Sequence, residues 1–348
     1  MKAAMLTGVK ELDVRDIAAP ELINAGDVLV QVRAVGICGS DVHNYLEGGT
    51  GSRKVVYPFI PGHEASGQVV AVGEAVTRVK PGDRIMIEPA FYCGVCDQCR
   101  AGRFNTCRKI MFLSSAGELQ GCMCAQVIIP EKNCFVIPQN LSYAEATLAE
   151  PLSIALHSVK NLAGVDPEAS VAVLGCGPVG LCTMLAAKAA GSQHVYATDR
   201  LAHRVSAAEK MGASWCGNPQ ESNVVHDILQ HEPGGVDVVF ECSGDPQALS
   251  QAVDLLKPGG SLVITGIPVE SRIEFSIDKL RRRELTIYNV RRQNKMEEAA
   301  LELLASESEL FAQMITHKFS LDDAKSAFDL VAGYGDGVVK AMVVLDGV

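Results

Sequence analysis

Cys93, Cys96, Cys99 and Cys107 stand at the spacing C-x2-C-x2-C-x7-C in the segment CGVCDQCRAGRFNTC. Four thiolates this close can surround one zinc in a tetrahedron and pin a loop that has little core of its own. Two disulfides are the alternative, but such staples belong to exported chains, and overlapping C-x2-C units rarely arise by chance. A site closed by four thiolates leaves no position for a substrate, so the expected role of this zinc is architectural.

A second set of residues suits a phosphate-bearing ligand. Gly175-Cys176-Gly177-Pro178-Val179-Gly180 reads G-x-G-x-x-G, follows the apolar run VAVL and opens a helical stretch. Gly175 permits the tight turn, Gly177 lets the backbone approach a pyrophosphate, and Gly180 lets helix pack on strand. The helix N-terminus adds free amide donors. Asp199, at the end of the next strand-like run, is placed to accept from ribose hydroxyls and to repel a 2′-phosphate, which favours NAD over NADP. Arg200 and Arg204 weaken that preference, because a nearby arginine accommodates the phosphate. Otherwise the glycines form an ordinary turn and Asp199 a helix cap.

Cys38 in GICGSDVH, His63 and Glu64 in PGHE, and Glu150 in AEPL are side chains of the types that hold a catalytic zinc, where three protein ligands leave a fourth position open. None is diagnostic singly. A lone cysteine is commonly a core thiol, and a lone His or Glu a satisfied or surface polar group.

Two kinds of element must position these residues. Up to about residue 150 the chain reads as all-β, with β-branched runs at 28–35, 67–72 and 84–87 punctuated by Pro61-Gly62 and Pro81-Gly82. From about 151 strand-like runs at 170–174, 194–198, 236–241, 261–265 and 285–290 alternate with helical stretches at 179–190 and 202–211. That order predicts βαβ units and a parallel sheet. The helical stretch 296–304 and the strand-like run 340–345 break the alternation, so the tail is expected to return to the first domain.

The 348 residues suffice for two domains with substantial cores, and 48% hydrophobic with 21% charged residues suits a globular protein. A net charge of −10, with Arg281-Arg282-Arg283 the one dense basic run, argues against nucleic-acid binding. No stretch reads as a signal peptide or a membrane span, and the twelve cysteines fit a reducing compartment, so a cytoplasmic protein is expected.

Taken in order, CGSDVH, PGHEASGQVVAVG, KPGDRI, the four-cysteine loop, EPLSIALH, GCGPVG, ECSG and KPGG resemble the zinc-containing medium-chain dehydrogenases over essentially the full length, most closely the sorbitol (polyol) dehydrogenase branch. The resemblance implies an α/β protein with a GroES-like β-rich catalytic domain (1–152 and 291–348) and a doubly wound Rossmann NAD-binding domain (153–290), with the active site in the cleft between them. It implies two zinc ions per chain. Cys38 and His63 hold the catalytic one, completed by Glu64 and Glu150, one of which acts through water or exchanges with it. Asp41 orients His63, caps a helix, or does both.

The same resemblance implies that Ser40 takes the substrate proton and passes it by way of the nicotinamide ribose to His43, a side chain suited to a shuttle near neutral pH. The cofactor meets Pro178, Val179, Arg204, Gly266, Ile267, Asn289, Val290 and Arg291 in addition to the glycines and Asp199. Substrate is expected near Asn44, Tyr45, Glu150, Arg291 and Arg292. Here the sequence departs from the branch. An aromatic residue is expected where Asn44 stands, with Tyr45 one position off, and a tyrosine where Arg292 stands. A second guanidinium in the pocket favours a more polar or anionic substrate, and has no such effect if Arg292 turns to solvent.

The expected activity is hydride transfer from a secondary alcohol of a polyol or sugar derivative to NAD, by a homodimer or homotetramer. The alternatives are a zinc alcohol or threonine-type dehydrogenase, a sugar-phosphate or sugar-acid dehydrogenase, and, from another class, a non-catalytic binding protein. The last has no use for a proton relay beside a metal.

Overall fold

The computed structural model describes residues 1–345 apart from 22–23, 51–52, 116–118, 269 and 271. Two compact units emerge: Met1–Glu150 together with Glu297–Val348, and Pro151–Met296. Residues 291–296 therefore stay with the second unit rather than the first. Val290 N–H still donates to Ile264 O (2.9 Å), and a turn closed by Met296 N–H on Gln293 Oε1 (2.9 Å) precedes the helix Glu297–Ser306.

In the first unit the ten-residue strand Asp27–Gly36 is the hub of a seven-stranded sheet. It pairs antiparallel with Glu64–Val72 on one side, and with Gln126–Pro130 and Lys340–Val344 on the other. Val28, Val30 and Val32 alternate into the core, the period of two that a sheet requires. Lys340–Val344 lies parallel to Ile315–Ser320, so the two ends of the chain close one sheet. The region is not all-β: helices occupy Gly39–Glu47, Asp97–Arg100 and Tyr143–Thr147, and Ala324–Ala332 packs against the first of these. The helix Gly39–Glu47, whose start is set by a polar side chain and not by a hydrophobic period, was open from sequence only as the helix that Asp41 would cap.

The second unit is a six-stranded parallel sheet. Its order is Trp215–Gly217, His194–Thr198, Ser170–Leu174, Val236–Glu241, Leu256–Ile264 and Thr286–Asn289. Counted within the unit this is 3-2-1-4-5-6, the doubly wound dinucleotide-binding order. Ser170–Leu174 is buried at every position, as expected of a central parallel strand covered on both faces. Among the described residues no helix is long and apolar enough to cross a membrane.

Candidate metal centre and nucleotide-binding edge

Strand register assembles the first cluster. Gly36 pairs with Glu64, so Cys38, two residues beyond the end of one strand, and His63, one residue before the start of the other, emerge at the same end of the sheet. One donor atom each from Cys38, His63 and Glu64 lies within 4.8 Å of the others, and His63 and Glu64 are buried. The donor set fits a borderline divalent cation. Burial alone would push the His63 imidazolium down, but Asp41 and then Cys38 hold it well above its ordinary value. These surroundings favour positive charge, which a metal supplies while leaving the imidazole neutral.

Asp41 is placed for both purposes open to it. Its Oδ2 accepts from Cys38 N–H (3.1 Å) at the start of the helix Gly39–Glu47. Its Oδ1 lies 3.5 Å from His63 Nδ1 and accepts from Ser114 Oγ (2.9 Å) and Gly62 N–H (3.2 Å). Burial would raise this carboxyl, and His63, Cys38 N–H and Ser114 together keep it below its ordinary value. Phe112 packs its ring on His63 at 5.2 Å.

Beneath the cluster Lys340, fully buried, forms an ion pair with Glu64 and donates to Ile37 O (3.1 Å). Lys340, Ser114 and Phe112 all lay outside the sequence reading. No motif marks them, and only the unbroken apolar context of Lys340 (GVVKAMVVL) hinted that a lysine there must be paired.

Glu150 is buried in the helix Ala149–Leu156 but falls outside the triad of donor atoms; it acts on Lys340 through its charge. Ser40 and His43, three apart in the helix Gly39–Glu47, share a face, and His43 Nδ1 meets Glu47 Oε1 at 3.1 Å. Asn44 is buried in that helix. Tyr45 corrects the expectation of a substrate contact. Its ring is 1% exposed and tilts on Phe328 at 5.3 Å, and its hydroxyl donates to Asp329 Oδ1 (2.6 Å). The side chain points into the contact with the helix Ala324–Ala332 because that is where its apolar ring is covered.

Cys93, Cys96, Cys99 and Cys107 form the second cluster. All are free thiols, with Sγ–Sγ separations of 3.6 Å (Cys96–Cys99), 3.9 Å (Cys96–Cys107) and 3.5 Å (Cys93–Cys107). Four thiolates about 2.3 Å from a zinc span edges of roughly 3.8 Å, so these separations suit a closed tetrahedron. Backbone N–H groups of Cys93 and Lys109 point at Cys107 Sγ, the donors a thiolate wants. Asp97 and Arg108 clasp the lobe, with Nη2–Oδ2 at 2.8 Å.

In the second unit the expected cofactor residues gather at the carboxyl ends of the strands. Gly175 follows Ser170–Leu174 with φ +100°, and a Cβ there would stand 2.7 Å from Ser243 N, across the point where strand order reverses. Pro178, Val179 and Gly180 open the helix Pro178–Ala189. Asp199 accepts from Cys176 N–H and Leu201 N–H, each at 2.8 Å, and Arg204 Nη1 lies 3.9 Å from its Oδ2 and beside Gly177.

Gly266 and Ile267 follow Leu256–Ile264; Asn289 ends Thr286–Asn289, followed by Val290 and Arg291, and then Arg292 at φ +54°. Buried Glu241, not foreseen, gathers Ser243 N–H (2.7 Å), Ser243 Oγ (2.5 Å) and Gly244 N–H (2.8 Å) on one oxygen and so shapes the loop facing Gly175.

Residues 24–139 match the alcohol dehydrogenase GroES-like domain and residues 178–306 the zinc-binding dehydrogenase domain. The chain is 36% identical to a sorbitol dehydrogenase of Bacillus subtilis, over 99% of this chain and 97% of that protein. It is 35% identical to a D-xylulose reductase A of Aspergillus oryzae, over 95% and 94%. A putative zinc-binding dehydrogenase from Sinorhizobium meliloti, solved bound to NADP, superposes with a TM-score of 0.90 at 34% identity, over 99% of this chain and 98% of that one.

Proposed function

The chain belongs to the zinc-containing medium-chain dehydrogenases, in their polyol dehydrogenase branch, and on that premise we propose that it oxidises a secondary hydroxyl of a polyol or sugar derivative to a ketone with NAD as hydride acceptor. The observation that carries the proposal is the convergence of Cys38, His63 and Glu64 at one end of the sheet.

Cys38 and His63 hold a catalytic zinc, and Glu64 and Glu150 supply carboxylates around it. Zinc so bound is a Lewis acid that lowers the pKa of a substrate hydroxyl, and NAD takes up the hydride. Asp41 fixes the His63 ring. Ser40 Oγ accepts the hydroxyl proton. A bound nicotinamide ribose would link Ser40 to His43 on the same helical face, and His43 holds the proton beside Glu47, which offers an outlet to solvent. Cys93, Cys96, Cys99 and Cys107 hold a structural zinc. Gly175, Gly177, Pro178, Val179 and Gly180 receive the pyrophosphate. Asp199 takes the adenosine ribose and disfavours a 2′-phosphate.

Among the described residues Thr286–Asn289 ends the parallel sheet with an open edge, which supports pairing with a second copy in a dimer or a dimer of dimers. Free thiols throughout the described cysteines are in keeping with the cytoplasm.

The test is the rate of NAD reduction with sorbitol, xylitol, ribitol, threonine, 2,3-butanediol and sugar phosphates. The proposal expects the highest kcat/KM among the polyols. A clear preference for threonine or a phosphorylated sugar would overturn the substrate class and leave the reaction type standing.

A further inference from the structure

We propose that Ser114 is a positioning residue of the metal centre, fixing the rotation of the His63 imidazole through Asp41; the inference rests on reading Cys38 and His63 as metal ligands. The Ser114 hydroxyl has one proton, and its partners leave one use for it. Gly62 N–H donates to Ser114 Oγ at 2.9 Å, so the hydroxyl proton goes to Asp41 Oδ1 at 2.9 Å. Asp41 is thereby pinned at both oxygens, Oδ2 by Cys38 N–H and Oδ1 by Ser114, with His63 Nδ1 3.5 Å from that same Oδ1. The hydroxyl thus ties together the carboxylate behind the histidine and the backbone directly before it. All three side chains are buried, so water does not substitute for a missing bond.

The backbone supports the same assignment. Ser114 stands at φ +58°, a conformation for which glycine is the ready choice. A serine there adds a hydroxyl that a glycine would lack. Its segment is anchored along the neighbouring strand. Leu113 N–H donates to Pro89 O (3.0 Å), and Met111–Phe112 pairs with Ala90–Phe91, the strands that flank the four-cysteine lobe. Phe112 then braces the His63 ring and Ser114 braces Asp41, so two residues of one short segment orient one imidazole.

The experiment compares zinc release from wild type, Ser114→Ala and Ser114→Gly during chelator competition, resolving the two sites, alongside thermal unfolding. Glycine removes the hydroxyl while easing the backbone, so it separates loss of the hydrogen bond from loss of fold. Both variants should bind the Cys38–His63 zinc about 10- to 100-fold more weakly, as expected when a ligand's orienting partner is disturbed. The four-cysteine zinc should be unchanged, and Ser114→Gly should unfold no earlier than Ser114→Ala, since both lose the hydroxyl and only glycine relieves the positive φ. Equal affinity at the Cys38–His63 site in all three proteins overturns this inference alone, as does equal weakening at both sites. A wild type that binds no zinc at Cys38 and His63 removes the underlying site reading and this inference together.

Discussion

Lys340 and Glu64 form an ion pair in which each side chain is only 1% exposed. Three strands meet there, and Gly36 makes the room. A Cβ at Gly36 would fall on the Glu64 carboxylate and stand 2.9 Å from Lys340 Cε. Burial pulls the ammonium down, but Glu64 and then Cys38 outweigh it and hold Lys340 above its ordinary value. In the zinc-free protein Lys340→Met should therefore cost about 3–5 kcal/mol in urea unfolding, because it strands a buried carboxylate. Lys340→Met with Glu64→Gln should recover much of that loss. A single variant as stable as wild type would contradict the pairing.

Tyr45→Phe tests the packing role of Tyr45. The ring contact with Phe328 survives, and loss of the hydrogen bond to Asp329 should cost about 1 kcal/mol. The KM for a polyol should stay within about twofold of wild type, since no contact with substrate is removed. Burial would raise the Asp329 carboxyl, but Lys325 and Tyr45 hold it below its ordinary 3.8. Its contribution to stability is thus present above that pH and is lost as pH falls through the lowered value. The Phe variant should lose less stability over that acid range than wild type.

Asp199→Ala should weaken NAD binding by about 10- to 100-fold, because the carboxylate both meets the ribose and holds Cys176 N–H of the glycine loop. NADP should lose less, so the preference for NAD narrows. Binding titrations with both dinucleotides check this. A wild-type preference for NADP would contradict it and turn attention to Arg200 and Arg204.

His43→Ala should keep both metals and lose roughly tenfold to a thousandfold in turnover at neutral pH. Because the missing group is a base and solvent can partly replace a shuttle, the deficit should shrink as pH rises. Loss of zinc from this variant would make His43 a ligand and the relay assignment wrong.

Features set by local spacing were legible from sequence. The four cysteines, the glycine loop and the strand Ser170–Leu174 each depend on neighbours within a few residues, and burial from Val171 to Leu174 follows from their unbroken apolar run. Relations across the chain were not. Lys340 reaches Glu64 only because Lys340–Val344 and Glu64–Val72 both pair with Asp27–Gly36. Tyr45 was misread because the helix Ala324–Ala332, which covers it, was not recognised, and the facing of one aromatic depends on what lies opposite. Ser114 carries no motif at all, since a hydroxyl acquires its meaning from the carboxylate it meets.

The central claim is tested most directly by the rate of NAD reduction with sorbitol or xylitol after selective removal of the Cys38–His63 zinc and after its return. The account predicts that the rate disappears while the four-cysteine zinc remains bound, and that one added zinc per chain restores it. Polyol oxidation that continues undiminished without that zinc, or a fully zinc-loaded protein that oxidises no polyol, would contradict it.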